Sequence, residues 1–368
     1  MKILYDHQIF TMQQEGGISR YFSELISELS EFENIEIQTS IKYSENRYLS
    51  NIENKELSSF LPKRYFKGKV KLQSFLNRYS SKQTIVNSTF DLFHPTFYDT
   101  YFLSKIGEKP MVVTVHDMIH ERLPHYFSNG SKISDHKREV IERADKIIAI
   151  SKHTKDDLID LFGVNEQKID VIYQGSSLID EYRDTNVDLE WLPKKYILFV
   201  GIRSAYKNFQ KFLESVSPLL VKDEDLHLVC VGGGKFQKSE QSFLASHELE
   251  EKAIQISCTD SELAHIYKNA RCFVFPTLYE GFGLPILEAF AANCPVVCSK
   301  CASLPEVAGD AAIYFDPKSE KEIREAVRKV VYDDDLRKDL IQKGVERTEK
   351  FSWRETARQT KEVYESLL

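Results

Sequence analysis

The sequence predicts an α/β protein made of two doubly wound domains facing across a cleft. Short apolar runs alternate with segments of helical period for most of its length, which is the pattern of βαβ units around a parallel sheet. The alternation stops at a polar break around 180–195 and then starts again. At 368 residues the chain also exceeds what a single hydrophobic core usually fills.

In the first half, strands are expected at 3–5, 35–40, 92–94, 111–116, 146–150 and 171–173, with helices at 18–30, 134–144 and 152–162. After the break, strands are expected at 196–200, 227–231, 254–257, 272–275 and 295–299, followed by long charged helices from 320 onward. No run approaches the roughly 18 apolar residues of a membrane span. The first residues read as a strand and lack the apolar stretch and cleavage site of a signal peptide. A net charge of −7 argues against bulk nucleic-acid binding. Cys294, Cys298 and Cys301 include one C-x2-C, but a structural zinc site needs a second ligand pair that is missing nearby. Small core and loop residues in a reducing cytoplasm are therefore the expectation for the cysteines.

Glu280-Gly-Phe-Gly-Leu-Pro-Ile-Leu-Glu288 carries the strongest functional signal. An apolar strand runs into a glycine turn, and Pro285 sits in the first turn of a helix, where its missing N–H costs nothing. One carboxylate falls on the turn and the other about one turn inside the helix. The amides of Phe282, Gly283 and Leu284 lie at the positive end of the helix dipole. Such a corner can hold a phosphate through amides and sugar hydroxyls through carboxylates.

Other segments place chemistry at strand ends. Gln14-Glu-Gly-Gly-Ile-Ser-Arg20 offers Gly16 and Gly17 for close backbone approach, although turn geometry alone explains a glycine pair equally well. Arg203 and Lys207 follow a strand, where fixed cations would stabilise a leaving group that gathers negative charge. His116 ends a strongly apolar strand, as a substrate-positioning residue or as a hydrogen-bonded structural one. Ser151 reads as a helix cap. Gly232-Gly-Gly234 lacks the third glycine of a dinucleotide fingerprint and reads as a turn. Asp223-Glu-Asp225 fits an Asp-x-Asp metal-binding pattern but precedes a strand, and Asp333-Asp-Asp335 reads as a cap. No metal site is expected. Between Leu61 and Phe90 no residue is acidic, while Lys63, Arg64, Lys67, Lys69, Lys71, Arg78 and Lys82 are interleaved with aromatics. A solvated insert and a patch for an anionic membrane surface both fit that composition.

The Glu280–Glu288 segment resembles the E-x7-E motif of the retaining glycosyltransferases of family 4, whose fold is GT-B. Gly16-Gly17-Ile-Ser-Arg-Tyr, His116-Asp117, Arg203 with Lys207-Asn and Ser303-Leu-Pro-Glu-Val-Ala-Gly-Asp310 occur in family order, and the whole resembles the O-antigen mannosyltransferase branch. The resemblance implies an acceptor-side domain over 1–178, joined by the closing helix 353–368, and a nucleotide-sugar domain over 179–352. It implies retaining, metal-independent transfer of a hexose to a glycan or lipid-linked glycan acceptor in surface polysaccharide synthesis. The enzyme would be cytoplasmic or peripheral on the inner face of the membrane. GDP-mannose is the first donor expected, with UDP- and dTDP-linked sugars as alternatives. Glu288 would hold the ribose, Glu280 the donor sugar, and Gly17 with Gly281 to Leu284 the phosphate and sugar. Arg203 and Lys207 would hold the diphosphate, His116 would position the sugar, and the loop of Cys258 would face the base. A nucleotide-sugar epimerase of the same fold and a non-catalytic binding relative are the competing readings.

Overall fold

The structure is a computed structural model that describes residues 1–51, 60, 66–128, 130–176, 189–203 and 205–368. The chain divides into two units, one formed by Met1–Gly175 with Trp353–Leu368 and the other by Ser176–Ser352. The expected boundary at 178/179 lies outside the described residues.

The first unit holds β1 (Lys2–Tyr5), β2 (Glu36–Thr39), β3 (Leu92–His94), β4 (Val112–Val115), β5 (Lys146–Ala149) and β6 (Ile169–Val171). They form two parallel ribbons, β2-β1-β3 and β4-β5-β6, and a single parallel bridge between Phe93 and Met111 connects them. The apolar runs of β3 and β4 are buried along their whole length, as strands covered on both faces require. β6 lies two residues earlier than its apolar pattern predicts, because the register Ile147↔Ile169 takes Ile169 into the core. The closing helix Trp353–Glu365 belongs to this unit and packs along the helix Gly17–Ser30. Gly175 makes the return possible: a Cβ there would lie 2.3 Å from the Trp353 backbone nitrogen. Thr356 Oγ1 then donates to the Tyr173 carbonyl at 2.8 Å.

The second unit is one parallel six-stranded sheet of β7 (Tyr196–Val200), β8 (His227–Val231), β9 (Ala253–Ile256), β10 (Cys272–Phe275), β11 (Val296–Ser299) and β12 (Ala312–Phe315). Its order is β12-β11-β10-β7-β8-β9. β12, absent from the sequence-based expectation, carries the strand formers Ile313, Tyr314 and Phe315 and pairs in parallel with β11. The chain winds outward from β7 to β9, returns to β10 and winds the other way. The reversal leaves β7 and β10 side by side, with Cys272 opposite Ile197. Loops leaving the carboxyl ends of two such strands splay apart and open a ligand crevice.

Candidate active site

The two loops at that reversal carry Lys207 and Glu280. Lys207 ends the 3-10 turn Ala205–Lys207 after β7, and its Nζ lies 2.6 Å from Glu280 Oε1 in the loop after β10. Both side chains are largely buried, and the ammonium also sits 5.2 Å from the centre of the Phe275 ring. Backbone stitching holds the loops in this register. The Leu278 amide donates to the Tyr206 carbonyl at 2.8 Å, and Thr277 Oγ1 donates to the carbonyls of Tyr206 and Tyr279. Asn208 adopts a left-handed backbone (φ 58°), and its amide group donates to the carbonyls of Pro276 and Pro317. Asparagine tolerates that conformation better than most residues.

Ser303 fixes the glycine turn from beneath. Its fully buried hydroxyl lies 2.9 Å from the carbonyl oxygens of both Glu280 and Phe282 and shares its proton between them. In a trans peptide the N–H opposes the C=O, so the amides of Gly281 and Gly283 are directed away from Ser303. Gly283 has φ 106° and caps the helix Leu284–Ala291, where a Cβ would meet Leu304 Cδ2 at 2.8 Å. Pro285 occupies the first turn as expected. Phe282 is buried edge-on against Phe351 and serves as an anchor of the turn. Glu288 projects from the same helix, and the buried Tyr267 donates its hydroxyl to Glu288 Oε2 at 3.3 Å. Burial, with Glu288 next in importance, holds that phenol well above its ordinary pKa, so it stays a donor. Cys258 follows β9 ahead of the Thr259–Glu262 capping box, and burial raises its thiol to about 11. It is a neutral loop residue at neutral pH.

Arg203, expected beside Lys207 at one diphosphate, has protein partners of its own. The Arg203 side chain is 1% exposed and pairs through Nε with Glu240 Oε1 at 3.0 Å. Nη1 donates to the Gly232 carbonyl, and Nη2 to those of Gly234 and Lys235. The cause is the turn Gly232–Gly234, whose three residues all have positive φ and present carbonyls that a guanidinium fork fits. A Cβ on Gly233 would come within 2.9 Å of Arg203 Nη1. These contacts brace the loop after β8.

In the first unit, Gly16 and Gly17 do not close a direct strand-to-helix turn, because the short helix Gln8–Met12 intervenes. Gly16 caps Gly17–Ser30, and Gln13 Oε1 already accepts from the Ser19 amide at 3.1 Å. That amide of the helix start is thus occupied. A Cβ on Gly16 would overlap Gln13 Oε1. His116 follows β4 with its ring edge-on to Tyr21, and its Nε2 is buried without a hydrogen-bond partner. Burial lowers its pKa to about 4, so it is neutral at physiological pH. Behind Tyr21 runs a buried polar chain. Thr114 Oγ1 touches Tyr21 Oη and lies 3.0 Å from His94 Nε2, and His94 Nδ1 lies 2.6 Å from Tyr364 Oη on the closing helix.

Burial also lowers His94 to about 3. Both imidazoles titrate near 6.5 when unfolded, so the unfolded chain binds the extra protons first as pH falls. Their contribution is complete above about pH 6.5 and is lost on acidification, on the order of 2 kcal/mol each by pH 5. The urea midpoint of the first unit is expected to drop steadily between pH 7 and pH 5. A flat profile over that range would contradict burial of the two neutral rings.

Sequence reasoning missed Ser303, Tyr267 and Thr277 as site residues. Ser303 stood inside a quoted motif, but the partners of all three come from distant segments. Asp223 is engaged structurally, with Lys195 Nζ at 2.7 Å and the Tyr332 hydroxyl at 2.8 Å; the Lys195 bond lowers its pKa to about 2. Asp333 caps the helix Asp334–Thr348 as expected, and Ser151 caps Lys152–Phe162. All six cysteines are free. Among the described residues no helix is long and apolar enough to cross a membrane.

A family model described as Glycosyltransferase Family 4 matches residues 15–178, and one described as Glycosyl transferases group 1 matches residues 185–347. The O-antigen chain mannosyltransferase B of Escherichia coli is 28% identical over 291 residues, 74% of this chain and 73% of that protein. The O-antigen chain mannosyltransferase RfbU of Salmonella typhimurium is 27% identical over 243 residues, 62% of this chain and 67% of that protein. Among solved structures, the Anabaena protein HepE in complex with UDP and glucose superposes with a TM-score of 0.75 at 17% identity, covering 100% of both chains.

Proposed function

The chain belongs to the family 4 glycosyltransferases of GT-B fold, on the side of their O-antigen mannosyltransferases, and we propose that it is a retaining, metal-independent hexosyltransferase acting from a nucleoside diphosphate sugar. Mannose from GDP-mannose is the first candidate, because named relatives are mannosyltransferases; the UDP and glucose bound by HepE keep uridine donors in the comparison. The acceptor is a growing surface glycan.

The observation that carries this reading is the Lys207–Glu280 pair at the glycine turn that opens the Glu288 helix. With donor bound, Glu288 takes the ribose hydroxyls, oriented by Tyr267. The Gly281 and Gly283 amides and Lys207 meet the diphosphate and neutralise charge as the glycosidic C–O bond breaks. The freed Glu280 carboxylate accepts from a sugar hydroxyl. The acceptor oxygen forms the new C–O bond on the same face, and its proton passes to the departing phosphate. Neutral His116 presents its unsatisfied Nε2 to a substrate hydroxyl.

Thermal-shift titration with GDP, UDP and dTDP sugars tests the reading. One nucleotide family should stabilise the chain, and Glu288→Ala should weaken that ligand about tenfold to a hundredfold, as loss of charged hydrogen bonds worth about 1.5–3 kcal/mol predicts. No response to any of the three, or an unchanged response in Glu288→Ala, would remove the proposal. An isomerised donor sugar formed without acceptor would assign an epimerase instead.

A further inference from the structure

The loop that carries His116 is held by a buried ammonium. Lys137 projects from the helix Gly130–Arg143 with its side chain 1% exposed. Its Nζ donates to the Asp117 carbonyl at 2.9 Å and pairs with Glu121 Oε2 at 2.9 Å. The remaining direction meets Met118 Sδ at 3.9 Å, and the ring of the buried Tyr98 is centred 5.3 Å away. These contacts occupy the donors of an ammonium, so Lys137 serves the loop and not a ligand.

Tyr98 grips the same loop on the other side of His116. Its hydroxyl accepts from the His116 amide at 3.3 Å and lies 3.5 Å from the Thr114 carbonyl. The Asp117 carboxylate accepts from the Ile119 amide at 3.1 Å. The short helix Ile119–Arg122 is then tied twice, by Glu121 to Lys137 and by Arg122 to Asp157 on the helix Lys152–Phe162. The backbone on both sides of His116 is pinned, while its Nε2 stays buried without a hydrogen-bond partner.

Stability does not account for this arrangement. The attraction within a buried ion pair is offset by the desolvation of both charges, so apolar residues of similar volume usually serve as well. Glu121 Oε1 is moreover buried without a hydrogen-bond partner, a cost with no structural gain. Direction is what apolar residues cannot supply. A donor at Nζ is needed to hold the Asp117 carbonyl, and Glu121 is its counter-charge. The ammonium also acts on the ring: burial opposes protonation of His116 most, Asp117 favours it, and Lys137 opposes it again.

We propose that Lys137 is a positioning residue for the transfer reaction. It fixes the Asp117 carbonyl as Tyr98 fixes the His116 amide, and together they set the direction in which His116 Nε2 meets the substrate. This role rests on the proposed contact of His116 with substrate.

The test removes both charges at once. Lys137→Met with Glu121→Leu leaves no orphaned ion and is expected to keep its urea midpoint near that of the wild type. Release of nucleoside diphosphate from GDP-mannose, UDP-glucose and dTDP-glucose is followed with water as acceptor. For the donor that turns over, kcat should fall about tenfold to a hundredfold with KM nearly unchanged, as displacement of a contacting group by about an ångström predicts. In a His116→Ala background the same pair of substitutions should cost less than about threefold, because the imidazole being positioned is gone. With isotope-labelled histidine, the His116 ring resonance, assigned by its loss in His116→Ala, should shift or split in the double variant. Tyr98→Phe deletes a single hydroxyl, should act in the same sense more weakly, and serves if the double variant does not fold. An unmoved His116 resonance in a folded variant, or an equal loss of kcat with and without His116, overturns the proposal. If the wild type turns over none of the three donors, the transfer reading fails separately, and the resonance still upholds or overturns the orienting role of Lys137.

Discussion

Lys207→Met is expected to reduce kcat by about a hundredfold to a thousandfold, the range seen when one preorganised stabiliser of a developing negative charge is removed. Lys207 Nζ lies 2.6 Å from Glu280 Oε1, so two explanations of such a loss must be separated. If Lys207 only balances the Glu280 charge, neutralising that charge first makes the lysine dispensable. If it neutralises the leaving diphosphate, its removal still costs rate in the Glu280→Gln background. We expect the second result: in a double-mutant cycle on steady-state rates, most of the Lys207→Met effect persists in Glu280→Gln. Product inhibition gives an independent reading. The nucleoside diphosphate carries the charge that Lys207 would meet, so its inhibition constant should rise in Lys207→Met and hold nearly steady in Glu280→Gln. Persistence of the full wild-type rate in Lys207→Met would exclude the lysine from the chemistry.

This pair also marks where sequence stops being informative. The Glu280–Glu288 corner was readable because its parts are local: a strand, two glycines, a proline and a helical turn fix one another within nine residues. The alternation of strands and helices gave the doubly wound units for the same reason. Side-chain direction was not readable. Arg203 leaves a strand end on the ligand side, yet the carbonyls that claim it arrive from Gly232, Gly234 and Lys235, about thirty residues later. Ser303 and Tyr267 act across comparable separations, through a shared carbonyl contact and a single hydroxyl. The helix Lys69–Asn87 hid itself differently. Its inward residues are polar, so a pattern search for an apolar buried face finds nothing, and only the backbone of Tyr43 and the hydroxyl of Tyr101 reveal which side is inside. β12 is only four residues long, too short for an alternation to stand out, although Ile313, Tyr314 and Phe315 favour a strand.

Arg203→Met is expected to lower the stability of the second unit by about 3–5 kcal/mol, the usual cost of stripping one partner from a buried ion pair. Glu240 is left with a carboxylate whose side chain is 6% exposed, and three turn carbonyls lose their donors. A second substitution tells how much of the loss is the orphaned charge. Glu240 Oε2 accepts from the Gln237 amide in a capping box, and glutamine can keep that bond while removing the charge. Arg203→Met with Glu240→Gln should therefore recover roughly half of the lost stability, with the three part-buried turn carbonyls, which water can partly satisfy, accounting for the remainder. The same folded double variant decides what Arg203 does in function. A residue that acts by shaping the Gly232–Lys235 turn leaves donor affinity within a few-fold of wild type once the fold is restored. A residue that grips the diphosphate directly leaves the double variant stable and unable to bind. Urea unfolding followed by nucleotide titration on one preparation reads both quantities, and the geometry of the four guanidinium bonds predicts the first outcome.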